Sequence, residues 1–220
     1  MRADLLTRLR EQSRDQFGLV TTDQAHAAGV TDEQLGAAAA GGEVWPVADE
    51  VWAVCAAEDK HEFEDWAAVW LTVNATTSVN ERRQHPDALI THESAAVLRE
   101  LGAANSYQLT LTMHRPPEHP VRGARIVAGR IGAHTQDWTV VHGLPTATPA
   151  RIITDLAADG ADGSHLGTII DDCLTRRLLD VSDVAAILAP HLHRWSGDRT
   201  NDPREVIELL ISGATDPADG

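Results

Sequence analysis

One lysine, Lys60, stands in 220 residues, and between Arg14 and Lys60 there is neither lysine nor arginine. A phosphate-binding loop that ends in lysine is therefore excluded, and so is a nuclease core that sets a lysine beside paired acids. The pattern Gly-x-Ser-x-Gly of a hydrolase elbow is also missing. The only cysteines, Cys55 and Cys173, lie far apart and fit neither a disulfide framework nor a zinc spacing. Aromatics make up 4% of the chain. No apolar run approaches the ~18 residues that cross a bilayer. The first residues, Met1 to Arg8, lack the apolar centre of a secretory signal. These absences lead us to expect a reduced, cytoplasmic protein without a membrane partner.

The charge that is present is mostly negative. Acids number 33 against 18 bases, for a net charge of −15. The excess sits at the two ends, with eleven acids against five bases in residues 1–60 and thirteen against six in residues 151–220. Phosphate neutralisation needs clustered Arg or Lys, so this balance suits a basic protein partner better than a nucleic acid. The most basic window, Arg115 to Arg130, holds four arginines and one acid, and reads as a solvated hairpin.

A length of 220 residues allows two domains. The expected fold is α+β: an N-terminal winged helix-turn-helix over 1–58, then a C-terminal mixed α/β domain over 61–212 with a small sheet and several helices, then a disordered tail over 213–220. The first helix runs from Ala3 to about Gln16, with Leu5, Leu6 and Leu9 inward and Arg8, Arg10 and Arg14 outward. Thr21 or Thr22 can cap a second helix and Thr31 a third, because a hydroxyl accepts from the free amides of a first turn. Residues 43–54 read as a hairpin turning at Ala48-Asp49-Glu50. A linker is expected at 56–60.

Phe63, Trp66, Ala67, Trp70 and Leu71 fall on one helical face. The polar stretch Asn74 to Asp87 reads as a loop, and Leu89-Ile90 as a short strand. Ser94 to Leu101 reads as a helix closed by Gly102. The period then alternates through Tyr107, Leu109, Leu111 and Met113, as a half-buried strand requires. Arg125–Ile131 and Trp138–Val141 are further strand candidates. Thr148-Pro149 starts a helix to about Ala158, and three more helices follow around Leu166–Leu174, Ser182–Ala189 and Pro203–Ile211. Trp45, Trp52, Trp66 and Trp70 are expected to pack the first domain onto the second.

Several of these segments carry a family resemblance. Gly18 to Val54, Asp65-Trp66, Ile90-Thr91-His92-Glu93-Ser94-Ala95-Ala96-Val97-Leu98, Leu109-Thr110-Leu111-Thr112 and Gly143-Leu144-Pro145 through Asp155-Leu156-Ala157 resemble the AbiEi-type antitoxins of bacterial abortive-infection systems. The resemblance implies a non-enzymatic protein that neutralises a cognate nucleotidyltransferase-like toxin. In many members it also implies repression of the operon through the winged helix. This chain departs from the family where Arg or Lys is usual, reading Gly36 to Glu43 and Ala48-Asp49-Glu50 instead.

DNA contacts would fall to Thr22, Thr31 and Gln34, with phosphates met by Arg8, Arg10 and Arg14. A promoter-binding repressor is thus the alternative reading. Candidate toxin contacts are Asp171, Asp172, Arg176, Arg177, Asp180 and Asp183. Gly163-Ser164 with Asp171-Asp172 is not read as a nucleotidyltransferase site, because adjacent acids on a helix point ~100° apart. Ser164 reads instead as a helix cap. The histidine pairs His191/His193 and His114/His119 lack companion ligands, so no metal, cofactor or catalytic residue is expected.

Overall fold

A computed structural model of the chain describes residues 3–54, 62–196 and 200–214. The expected linker and most of the expected tail lie outside the described residues. The mixed α+β class expected from sequence holds, with eleven helices and two small sheets among the described residues. None of these helices is long and apolar enough to cross a membrane. Contacts divide the chain into two units: 1–88 with 114–126, and 89–113 with 127–220. The first unit therefore runs past the segment expected to link two domains, and it is discontinuous in sequence.

The first unit opens with α1 (Ala3–Ser13), β1 (Leu19–Thr21), α2 (Thr22–Ala27), α3 (Asp32–Ala40), β2 (Trp45–Ala48) and β3 (Val51–Ala53). Its strands form an antiparallel sheet in the order β1-β3-β2. Thr21 caps α2 and Thr31 caps α3, and each forms a reciprocal capping box, with Gln24 and Gln34 respectively. Each box satisfies two amides that would otherwise lack partners. Gly29 (φ +86) makes the turn between the helices, a backbone region that costs other residues energy. Leu5, Leu6, Leu9, Val20, Ala25, Val30, Leu35, Ala38, Val44 and Val54 form the core, with Trp52 half-buried against it. Fully burying one Leu or Val side chain stabilises by about 1.5–3 kcal/mol.

α4 (Glu64–Thr72) packs on this sheet. The stretch read as a loop contains α5 (Val79–Gln84), capped by Ser78. The stretch is mostly polar in sequence, yet the Arg82 side chain is fully buried. Its guanidinium lies 3.6 Å from the Trp70 ring centroid, and Nε donates to Asp87 Oδ1 at 2.9 Å. Trp70 itself donates to the Ala88 carbonyl. Trp52 donates to the Thr22 hydroxyl. Both indole N–H groups thus find their acceptors inside the first unit.

The second sheet has the order β6-β5-β4-β8-β7, built from β4 (Ala88–Ile90), β5 (Leu109–Met113), β6 (Ala124–Ala128), β7 (Trp138–Val141) and β8 (Leu144–Ala147). β4 runs parallel to β8, and β7 and β8 form an antiparallel hairpin. All five residues of β5 are buried, so its alternating threonines do not mark a solvent face. Tyr107 falls outside β5 and is 97% exposed. β8 was not anticipated from the sequence, where Pro145 argues against an inner strand. The hairpin turn has positive φ at both His142 and Gly143, the twist that two-residue hairpins favour.

The helices of this unit are α6 (His92–Leu98), α7 (Pro149–Asp159), α8 (Gly163–Thr175), α9 (Val181–Leu188), α10 (His193–Ser196) and α11 (Pro203–Ala214). α8 and α11 make the most extensive helix pair. The cap of α8 is Asp162, which accepts from the Ser164 and His165 amides. Ser164 instead sits inside the first turn and donates its hydroxyl to Asp162. An anion two residues earlier serves those amides better than a serine within the turn. α6 ends before Arg99, and Gly102 lies beyond that cap.

Cys173 is fully buried on α8. Burial, reinforced by the Asp172 charge, pushes its thiol up to about 11 despite Arg176 and Arg99 nearby. In a Cys55→Ser chain at pH 8, its thiolate population is then about a hundredfold below that of an exposed thiol, or lower still. An aromatic disulfide reagent is expected to leave the folded chain unmodified for hours and to react at once in denaturant. Rapid reaction without denaturant would show that the site opens.

Candidate functional site

Two surfaces are built from the residues that the sequence singled out, one in each unit. In the first unit, α3 exposes Asp32, Glu33, Gly36, Ala37 and Ala40. Two carboxylates and small side chains are all this helix offers along its open face. Gln34, the one side chain suited to a base edge, uses its oxygen to accept from the Thr31 amide in the capping box. Thr31 accepts from the Gln34 amide in return. Thr22 holds the Glu50 carbonyl and the Trp52 indole. These three residues are therefore brought to the α2–α3 region but are engaged in local structure.

The β2–β3 turn adds Asp49 and Glu50, both exposed. Arg122 approaches Asp49 to 3.7 Å, but both side chains are well exposed, and such a pair contributes little. Arg8 and Arg10 on α1 and Arg14 just past its end are all exposed. Beside them a groove of about 460 Å³ is lined by Glu11, Asp15 and Asp23. The three arginines thus share their neighbourhood with three carboxylates, and no extended basic stripe forms.

In the second unit, four of the six candidate partner contacts are tied to the local fold. Asp172 accepts from the Gly102 amide at 2.6 Å. Arg176 donates to the Arg99 and Glu100 carbonyls, which lie just past the end of α6. Asp180 caps α9, with Asp183 completing a capping box. The Ser182 hydroxyl and the Asp183 amide hold the Asp180 carboxyl below the usual carboxylate range. Asp171 and Arg177 are exposed, Arg177 with φ +56. Asp171 and Asp172 are consecutive on α8 rather than aligned on a strand, so they do not converge on one point.

The segments that carry the family resemblance mostly build the interior of this unit. Thr91 donates its amide to Thr110 and shares a hydroxyl contact with Thr112. His92, at φ +54 and with its side chain 4% exposed, contacts the Thr91 hydroxyl through Nδ1 at 2.9 Å and Asp159 through Nε2 at 3.3 Å. Ser94 accepts from the Thr110 amide. Arg151 donates to Asp155 at 2.7 Å and to the Arg130 carbonyl. Burial lifts the Asp155 carboxyl above its ordinary range, against the pull of Arg151. These polar groups fix α6 and α7 to the rest of the unit, and sequence reasoning did not assign them that role. Among the described residues there is no group of three or more His, Cys, Asp or Glu that could hold a metal ion.

No protein-family model matches the chain, and no curated protein sequence does. In solved structures the fold is similar to that of the RV2827C protein from Mycobacterium tuberculosis. The likeness has a TM-score of 0.53 at 14% identity, and covers 98% of this chain and 78% of that one. At that identity the likeness speaks to fold alone.

Proposed function

We propose that the chain is a non-enzymatic antitoxin of the AbiEi kind, whose N-terminal module is a winged helix-turn-helix and whose partner is a basic, nucleotide-handling toxin. The observation that carries this reading is the α2–α3 pair and β2–β3 hairpin presented without a single base, with Asp32, Glu33, Asp49 and Glu50 exposed. A helix-turn-helix frame with such a surface repels phosphates and attracts cationic protein. The net charge of −15 acts in the same direction. The segments described above as resembling antitoxins supply the class of partner, and Asp171, Arg177, Asp180 and Asp183 supply exposed charges for it.

The test is co-expression with a nucleotidyltransferase-like toxin encoded beside this gene. Rescue of growth and co-purification of a stable complex are expected, with Asp171→Lys weakening the complex about tenfold at unchanged thermal stability. Growth arrest despite soluble expression of both chains would sink the reading. Point variants are preferable to deletions, because the first unit is discontinuous.

A second reading, a repressor of its own operon, is favoured by three exposed arginines, Arg8 and Arg10 on α1 and Arg14 just past its end. If the chain binds its promoter, replacing all three by Ala should reduce the salt dependence by about three units on a log–log plot. Promoter affinity equal to that for random duplex at low salt would leave only the first reading.

A further inference from the structure

The second unit contains a groove of about 430 Å³ where the residues just past α6, the β7–β8 turn, the start of α7 and the end of α8 meet. Leu98, Val141, Pro149 and Leu178 make apolar walls, and Leu178 is 42% exposed. Arg99 and Arg176 supply cations. Arg99 is half-buried, and its Nε and Nη2 donate to the Ala147 and Thr146 carbonyls and the Thr139 hydroxyl. All three acceptors are neutral, and Nη1 has no acceptor among the described residues. Arg176 stands at the mouth and spends only Nη1, on backbone carbonyls.

No ion pair among the described residues joins either arginine to a carboxylate, although the chain carries 33 acids. Glu100 lies exposed at the rim and pairs with neither. A partly desolvated guanidinium without a counter-charge is costly, and an incoming oxyanion would relieve that cost. Burial also pulls the Arg99 guanidinium below its ordinary range, which fits a cation lacking its anion. Around the same groove Glu100, His142 and Arg177 hold positive φ of 54°, 49° and 56°. These are the left-handed positions of two helix C-caps and of the β7–β8 hairpin turn.

We infer that this groove binds a carboxylate flanked by an aliphatic side chain, presented by an acidic-apolar segment of a protein partner. Two guanidinium groups lining one groove suit a carboxylate, and the four apolar walls suit its aliphatic neighbour. No Phe, Tyr or Trp lines the groove, so a base would have only the small His142 ring to stack on, while the aliphatic walls suit an aliphatic side chain. The inference goes beyond the antitoxin reading and does not depend on it.

The probe is the peptide acetyl-Leu-Glu-Leu-amide, titrated into the 15N-labelled full chain, with acetyl-Leu-Gln-Leu-amide and inorganic phosphate as separate arms. The Glu peptide should shift the amides of Glu100, His142 and Arg177 saturably, with millimolar affinity, and the Gln peptide should bind about tenfold more weakly. Arg176→Glu should abolish the shifts, with some loss of stability because the hydrogen bonds to the Arg99 and Glu100 carbonyls go with it. If Arg176→Glu does not fold, Leu178→Asp on the exposed wall should weaken the Glu peptide about tenfold or more. Equal binding of the Gln peptide, tighter binding of phosphate than of the Glu peptide, or no shift at about 20 mM peptide would each overturn the proposal.

Discussion

Arg82→Ala is expected to destabilise the chain by about 3–5 kcal/mol, the range for breaking a buried ion pair from one side. The Arg82 side chain is fully buried, and Asp87 is 31% exposed, so Asp87 would be left with its charge but without its guanidinium. The substitution also empties the space over Trp70 and removes the donor to the Asn74 carbonyl. Asn74 in turn donates to Asp87 and Thr77 and accepts from the Thr76 and Thr77 amides. The turn before α5 is therefore expected to loosen together with the pair. Thermal unfolding should drop by roughly 10 °C at two to four degrees per kcal/mol. Arg82→Met with Asp87→Leu should recover much of the loss, because an apolar pair needs no counter-charge. A drop of under about 1 kcal/mol for Arg82→Ala, read from denaturant midpoints, would mean that the guanidinium contributes no more than its methylene packing.

Gly102→Ala is the second large effect, expected at about 3 kcal/mol. Gly102 has φ +62, so a side chain costs backbone strain before any contact is counted. An added Cβ would then lie 2.7 Å from Thr168 Oγ1 and 3.0 Å from the Ile169 amide nitrogen. The hydroxyl can rotate away, but the backbone of α8 cannot without moving the helix. Adding Thr168→Ala should therefore restore only a minor part of the stability. Full restoration would contradict the backbone clash, and a loss below about 1 kcal/mol for the single variant would contradict both contributions. The loop that Gly102 turns leads directly from Arg99 and Glu100, so the variant should also disturb the arginine-lined groove.

The parts of the fold that sequence reveals are those where local chemistry and final burial agree. Leu5, Leu6 and Leu9 on α1 and the caps Thr21 and Thr31 combine an apolar period or a capping hydroxyl with the environment that such residues prefer. The misreadings occur where tertiary contacts reverse a local preference. α5 was hidden because its main anchor is an arginine, which ordinarily marks surface. β5 looked half-exposed because Thr110 and Thr112 alternate with apolar residues, yet the face that bears both hydroxyls is covered too. β8 was hidden by Pro145, since proline argues against an inner strand, yet β8 lies between β4 and β7. At the candidate sites, the missing bases of α3 could be read directly from the sequence. The Arg99–Arg176 groove could not, because its lining comes from four separated segments and its main cation looks like an ordinary helix-end arginine.

The discontinuity of the first unit also constrains how the chain can be made. Residues 114–126 belong with residues 1–88, so that unit cannot close when Ala88 leaves the ribosome. At about 5–20 residues per second, Ile126 follows Ala88 by roughly two to eight seconds. During that interval the apolar strand β5 has been synthesised, while β8, which follows it by some thirty residues, has not. Nascent chains halted between Ala88 and Ile126 should therefore recruit chaperones more strongly than chains halted after residue 214, a burden that a contiguous N-terminal module would not impose.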